Sequence, residues 1–194
     1  MAKRMFTAVL PPPGIVQELD SYVAPRRDAD PELRWTRPEG WHLTTAFMGQ
    51  VALGRDEYLE DNLAEVAART WPFEVRVEGG IAFPNPMKAR VLGLAVPVGH
   101  DELAALSSSC RAAAYRAGVE ADGTRFVGHL TLARHSRGVQ ATRWLTVLDA
   151  FPGWSWRAEE LVLIESRSSG YGFGYEVAAR FPLGQPVVDP YGDG

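Results

Sequence analysis

Residues 41–49 read W-H-L-T-T-A-F-M-G, and residues 128–134 read G-H-L-T-L-A-R. The chain has four histidines, and two of them, His42 and His129, open the same His-Leu-Thr phrase. They stand 129 − 42 = 87 residues apart, close to half of the 194-residue chain. Each phrase alternates apolar and polar residues, which predicts a strand. Side chains two apart on a strand share a face, so His42 sits beside Thr44 and His129 beside Thr131. Trp41, Leu43, Thr45 and Phe47 are expected on the opposite face, as are Leu130 and Leu132.

The flanking segments follow a similar order around each phrase. Residues 5–10 predict a strand stopped by Pro11, Pro12 and Pro13, and residues 15–22 a helix with proline in its first turn. Residues 56–69 place Leu59, Leu63, Val66 and Ala67 at helical spacing. Strands are expected over 73–77 and 89–96, with a turn at Phe83-Pro84-Asn85-Pro86 between them. In the second half, a helix over 101–117 ends at Gly118, a strand covers 129–133 and a helix 141–150. Strands at 161–165 and 175–181 close the chain. Roughly strand, helix, His-strand, helix, strand occurs twice. This predicts an α+β class: a bilobal, pseudo-twofold fold with two antiparallel sheets facing a central cleft and helices on the outside. The domain is expected over 1–184, with half-repeats 1–88 and 89–184, and residues 185–194 as a loosely ordered tail.

Composition sets the outer limits. A hydrophobic fraction of 46% and a charged fraction of 23% suit a globular chain with a sizeable core. No apolar run reaches membrane-spanning length. The first apolar run is short and ends in three prolines, so it reads as a strand and turn rather than a leader. A single cysteine, Cys110, excludes an internal disulfide and points to the cytoplasm. A net charge of −4 and a pI near 5.6 argue against a broad basic surface for long nucleic acid. A few arginines can still hold one phosphate. Arg125, Arg134, Arg137 and Arg143 cluster around the second phrase.

If two such strands face each other, two imidazoles and two hydroxyls converge. One neutral imidazole can take a proton from water, and one protonated imidazole can give a proton to a leaving oxygen. The threonine hydroxyls can donate to non-bridging phosphate oxygens. No Cys/His/Asp spacing suited to zinc accompanies the pair, and no glycine-rich nucleotide loop follows a strand. Phe83, Tyr171 and Phe173 lie in turn or glycine-rich segments and are candidates for stacking on an unpaired base.

At these residues the chain resembles the two-histidine (2H) phosphoesterases, in the branch of RNA 2′,3′-cyclic phosphodiesterases also called 2′-5′ RNA ligases. The carrying stretches are R-W-T-R-P-E-G-W-H-L-T-T-A-F-M-G (34–49), F-P-N-P-M-K-A-R-V-L-G-L-A-V (83–96), R-F-V-G-H-L-T-L-A-R (125–134) and L-V-L-I-E-S-R-S-S-G-Y-G-F-G-Y (161–175). Gly128 stands where this branch often has proline, and Thr45 where leucine is usual. The resemblance implies that His42 is the proton donor to the leaving ribose oxygen and His129 the proton acceptor from water. Thr44 and Thr131 hold the phosphate. It also implies a phosphate contact for Arg134, although strict alternation puts that residue on the face opposite His129. The implied reaction opens RNA-terminal or nucleoside 2′,3′-cyclic phosphates to 2′-phosphates, with no metal and no cofactor, in a monomer. The alternatives are ligation or cleavage of 2′-5′ linkages, hydrolysis of another cyclic phosphate, or a non-catalytic module binding RNA ends.

Overall fold

The structure, a computed structural model, describes residues 2–169 and 172–184. Nine strands and four helices are described: β1 (Lys3–Val9), α1 (Pro13–Val23), β2 (Arg34–Trp35), β3 (Leu43–Val51), α2 (Asp56–Arg69), β4 (Phe73–Phe83), β5 (Ala89–Val98), α3 (His100–Arg116), β6 (His129–Val139), α4 (Thr142–Asp149), β7 (Trp154–Ala158), β8 (Glu160–Ser169) and β9 (Gly172–Pro182). They form two sheets, ordered β3-β1-β8-β9 and β2-β6-β5-β4-β7, with every pairing antiparallel. This is the expected α+β class. Each sheet draws strands from both halves of the chain: β4 already belongs with β5 and β6, while β8 and β9 return to β1.

The main core lies between the sheets and the first three helices. Val9 and Leu43 of the first sheet, Leu94 and Leu130 of the second, and Leu63 and Leu106 of the helices share one buried cluster. Each fully buried leucine of this kind contributes ~1.5–3 kcal/mol relative to exposure. The α2 helix buries Leu59, Leu63, Val66 and Ala67, the four positions its spacing marks. The α3 helix stops where Gly118 takes φ +70°, a left-handed conformation that costs glycine little. The amphipathic α4 covers part of the second sheet, where Trp144 and Leu145 pack on a smaller cluster containing Leu33, Leu92 and Ala133.

The opposite faces of the two sheets line the cleft. On the first sheet this face carries Phe6, Ala8, Val162 and Ile164, with Leu10 and Phe47 against them. Four differences from the sequence reading follow from tertiary pairing. The β6 strand runs on to Val139, so His135 lies on a strand; its side chain is 12% exposed and faces Glu32 at 3.7 Å. The two-residue β2 is too short to show a period of its own. The β7 strand alternates buried and exposed residues and is legible as a strand only beside β4. Phe47 lies on the cleft face rather than behind it, because an extra residue earlier in β3 turns it there.

Candidate active site

Both histidines are held by the same local device. His42 precedes β3 and donates from Nδ1 to the Gly40 carbonyl at 2.7 Å. His129 opens β6 and donates from Nδ1 to the Val127 carbonyl at 2.8 Å. A carbonyl can only accept, so the Nδ1 atoms carry the hydrogens. Each neutral ring therefore keeps its Nε2 lone pair for other work.

Each strand then carries one extra residue just past its threonine. On β3, Thr44 pairs with Ala8 and Ala46 with the next residue of β1, Thr7, so Thr45 is the insertion. On β6, Thr131 pairs with Gly93 and Ala133 with Leu92, so Leu132 is the insertion. Such a bulge moves every later side chain to the other face. Thr45 and Ala46 are both buried, as are Leu132 and Ala133, and Phe47 and Arg134 come round to the cleft side. Phe47 stands directly opposite Phe6, whose ring lies 4.7 Å from that of His42. The expectation that Arg134 points away from His129 therefore fails. Its charge lowers the proton affinity of both imidazoles.

Gly93 permits the close approach at the second bulge. A Cβ built there would lie 2.3 Å from the Leu130 carbonyl oxygen and 3.4 Å from the Thr131 Cα. The strands β3 and β6 themselves come within 8 Å at the Cα level.

Burial is the main influence on both imidazoles, and it disfavours the charged ring. His42 is pushed from the ordinary 6.5 down to about 4, with the Gly40 hydrogen bond opposing and the Arg134 and His129 charges adding to the fall. His129 is also lowered, by burial first and then by Arg134, against the Val127 hydrogen bond. In the free protein both rings are neutral at pH 7.

Aromatic rings flank each imidazole. Tyr175 meets His42 edge-on at 5.5 Å and Phe6 at 5.3 Å. Phe83 lies 4.8 Å from the His129 ring. Of the stacking candidates, Phe83 is thus at the site. Tyr171 lies outside the described residues, and Phe173 lies on β9 with only its backbone described. Phe6 and Tyr175 were not singled out from the sequence. Tyr175 is two residues beyond Phe173 on one strand, which period-2 logic could have found. His100 opens α3 against Phe126 at 5.5 Å, and Cys110 is buried in α3, its thiol pushed by burial up to about 11. Trp41 is core, as expected. Among the described residues no group of three or more His, Cys, Asp or Glu side chains is gathered. No described helix is long and apolar enough to cross a membrane.

The arrangement supplies two imidazole Nε2 atoms, two threonines and one guanidinium around a cleft with aromatic walls. Such a set can move a proton on each side of an anionic centre.

Comparisons with known proteins bear on the fold and the family. An RNA 2′,3′-cyclic phosphodiesterase of Archaeoglobus fulgidus is 29% identical over 155 residues, covering 80% of this chain and 75% of that one. One of Aquifex aeolicus is 28% identical over 102 residues, 52% of this chain. The chain spans about half the length of that relative and of one from Methanothermobacter thermautotrophicus, 54% and 52%. Among solved structures, E. coli LigT complexed with 3′-AMP superposes with a TM-score of 0.76 at 23% identity, covering 94% of this chain and 99% of that one. TT0787 of Thermus thermophilus gives 0.73 at 23% identity, covering 93% and 98%. These two show the fold. The model of one family matches residues 11–170, which include both histidine strands, and on that match the chain belongs to the 2′-5′ RNA ligase superfamily.

Proposed function

We propose that the protein opens 2′,3′-cyclic phosphates at RNA ends or on nucleosides, leaving a 2′-phosphate. The observation that carries this reading is the symmetry of the two imidazoles. Each is anchored through Nδ1 to the carbonyl two residues before it, which leaves Nε2 free, and the rings are near enough for the His129 charge to act on His42. A binding site for a phosphate needs donors, but it does not need two matched proton carriers. The name carried by the relatives from Archaeoglobus fulgidus and Aquifex aeolicus supports the same reaction.

In this reaction water attacks phosphorus and gives its proton to Nε2 of neutral His129. The bond from phosphorus to the ribose 3′ oxygen breaks, and that oxygen takes the proton from Nε2 of protonated His42. Thr44, Thr131 and Arg134 hold the non-bridging oxygens, where charge is concentrated. In the free protein burial holds both rings below the ordinary 6.5, His42 at about 4, so both start neutral at pH 7. A bound phosphate anion favours imidazolium and opposes the Arg134 charge. It must restore the proton to His42 before the leaving oxygen departs.

A 5′-hydroxyl in the place of water would form a 2′-5′ linkage through the same two proton transfers, and the family description favours keeping this second reading. The two are separated by offering a 5′-hydroxyl oligonucleotide together with the cyclic end and identifying the product.

The direct test uses a 2′,3′-cyclic mononucleotide. His42→Ala and His129→Ala should each lower kcat by at least ~10²-fold, the low end for general acid–base catalysis, with melting temperatures that show a retained fold. Wild-type turnover in either variant, or complete loss with a chelator, would overturn the mechanism.

A further inference from the structure

The two-residue strand β2 brings a second guanidinium to the cleft. Arg34 pairs with Arg134 and Trp35 with Ala133. Residues directly opposite in an antiparallel pair share a face. Trp35 and Ala133 turn back onto the cluster that contains Leu33 and Leu92. Arg34 and Arg134 are therefore both on the cleft face, and both are exposed. The row continues across the sheet: Arg134 stands opposite Val91, and Val91 opposite Phe83. Two cations thus end a line whose other end is the ring packed on His129.

Like charges directly opposite on neighbouring strands are destabilising, and adjacent strands lie only ~4.8 Å apart. The nearby carboxylates are engaged elsewhere. Asp30 accepts from Trp144 Nε1 at 3.3 Å, and Glu32 faces His135. Among the described residues neither arginine has an ion-pair partner. A repulsive pair of this kind, aimed into a phosphate cleft, is relieved by an anion.

We propose that Arg34 binds a second phosphate of the substrate. A nucleotide that ends in a 2′,3′-cyclic phosphate has one other phosphate within reach, the one on its own 5′ oxygen. Arg134 then serves the reacting phosphate and Arg34 the 5′ one, so the preferred substrate is the end of an oligonucleotide rather than a cyclic mononucleoside. This rests on the cyclic-phosphate reading above and adds its polarity: the 5′ side of the chain leaves over β2.

The test compares kcat/KM for a 2′,3′-cyclic mononucleotide with a 5′-hydroxyl against the same compound with a 5′-phosphate, in wild type and Arg34→Gln. The wild type should favour the 5′-phosphorylated form about tenfold to a hundredfold, as one charge-assisted contact allows. Arg34→Gln should abolish that preference and leave the 5′-hydroxyl substrate within about twofold of wild type. Arg34→Lys should keep part of the preference, since it retains the charge without the fork. The melting temperature of Arg34→Gln should equal or exceed that of wild type, because a like-charge pair is removed. No wild-type preference, or an equal loss on both substrates, overturns the proposal. If the wild type turns over neither compound, the cyclic-phosphate reading falls. Calorimetry with a nucleoside 2′-phosphate, with and without a 5′-phosphate, then decides Arg34, and an equal affinity difference in wild type and variant overturns its role.

Discussion

The strands β3 and β6 use one backbone design for two kinds of side chain. Each presents an imidazole tied to the carbonyl two residues back, then a threonine, then one inserted residue that turns the next polar or aromatic position into the cleft. The inserted residue is Thr45 on β3 and Leu132 on β6. The residue turned inward is Phe47 on β3 and Arg134 on β6. Opposite the threonines stand Ala8 on one side and Gly93 on the other. Both walls carry an aromatic ring beside the imidazole, and past the bulge the first sheet adds a second ring where the second sheet adds a guanidinium. The shared geometry places two imidazoles alike, and on the proposed function the differences would give a bound phosphate a direction.

The sharpest way to break the likeness is to make the halves more alike in sequence. Ala8 already carries a Cβ opposite Thr44, but a Cβ on Gly93 would lie 2.3 Å from the Leu130 carbonyl oxygen. That atom is backbone and cannot swing aside, so β5 and β6 must part. Gly93→Ala is expected to cost ~3 kcal/mol or more in stability and to lower kcat/KM by over ~10²-fold, as misplacement of a catalytic group does. Thermal unfolding and steady-state kinetics check this. Near-wild-type values in both would mean that the second bulge does not set the position of His129 and Thr131.

The next contrast is charge. Arg134 lowers the proton affinity of both histidines, and Phe47 carries no charge to do so from the other wall. The sign is fixed by like-charge repulsion: removing the cation favours imidazolium and raises both values. On the proposed mechanism the reacting form carries one proton on the pair, and kcat/KM follows the free protein. Both imidazoles lie below the ordinary 6.5, so kcat/KM should peak on the acid side of neutrality and decline toward pH 8. Arg134→Gln should move both limbs to higher pH and lower the peak about tenfold to a hundredfold. Phe47→Leu should leave the limbs in place. A pH–rate profile that is unmoved in Arg134→Gln would separate Arg134 from the imidazoles.

How much of this the letters carry depends on the period. His42 with Thr44 and His129 with Thr131 are legible because the strands are regular up to the threonine. So is α2, whose apolar spacing closes on one face without reference to anything else. Strict alternation misplaces Arg134 and Phe47 because a bulge leaves no mark in the sequence: the inserted Thr45 and Leu132 look like ordinary alternating residues, and only the resemblance puts Arg134 beside His129. The fault lies in the pairing with β1 and β5, which only the assembled sheets supply. The same holds for Arg34, whose place opposite Arg134 comes from a two-residue strand with no detectable period. The sheet order is equally non-local, since β1 lies between β3 and β8. Of the aromatic rings, Phe83 is legible from its turn. Phe6 sits in an apolar strand that reads as core from both sides, and its contact with His42 depends on which side faces the cleft.

The smallest expected effect concerns the inserted residues themselves, and it tests whether they act on stability alone. Thr45 is buried and shares a 2.7 Å hydroxyl contact with Thr7, itself buried, while its own hydroxyl donates toward the Cys110 sulfur at 3.9 Å. Leu132 fills the matching place on β6 with no polar atom. The hydroxyl pair lies on the face away from the histidines. Thr45→Val keeps the shape but leaves the Thr7 hydroxyl only the weak Cys110 sulfur as a partner, which costs ~1 kcal/mol in a buried place. Thr7→Val with Thr45→Val removes both hydroxyls and should recover most of that loss, because two apolar groups of the same shape replace a satisfied pair. In both the single and the double variant kcat/KM should stay within about threefold of wild type, less than one charge-assisted contact is worth. If Thr45→Val lowers kcat/KM tenfold at an unchanged melting temperature, then the pair positions Thr44 for the reaction, and β3 differs from β6 in how its catalytic face is held as well as in what it presents.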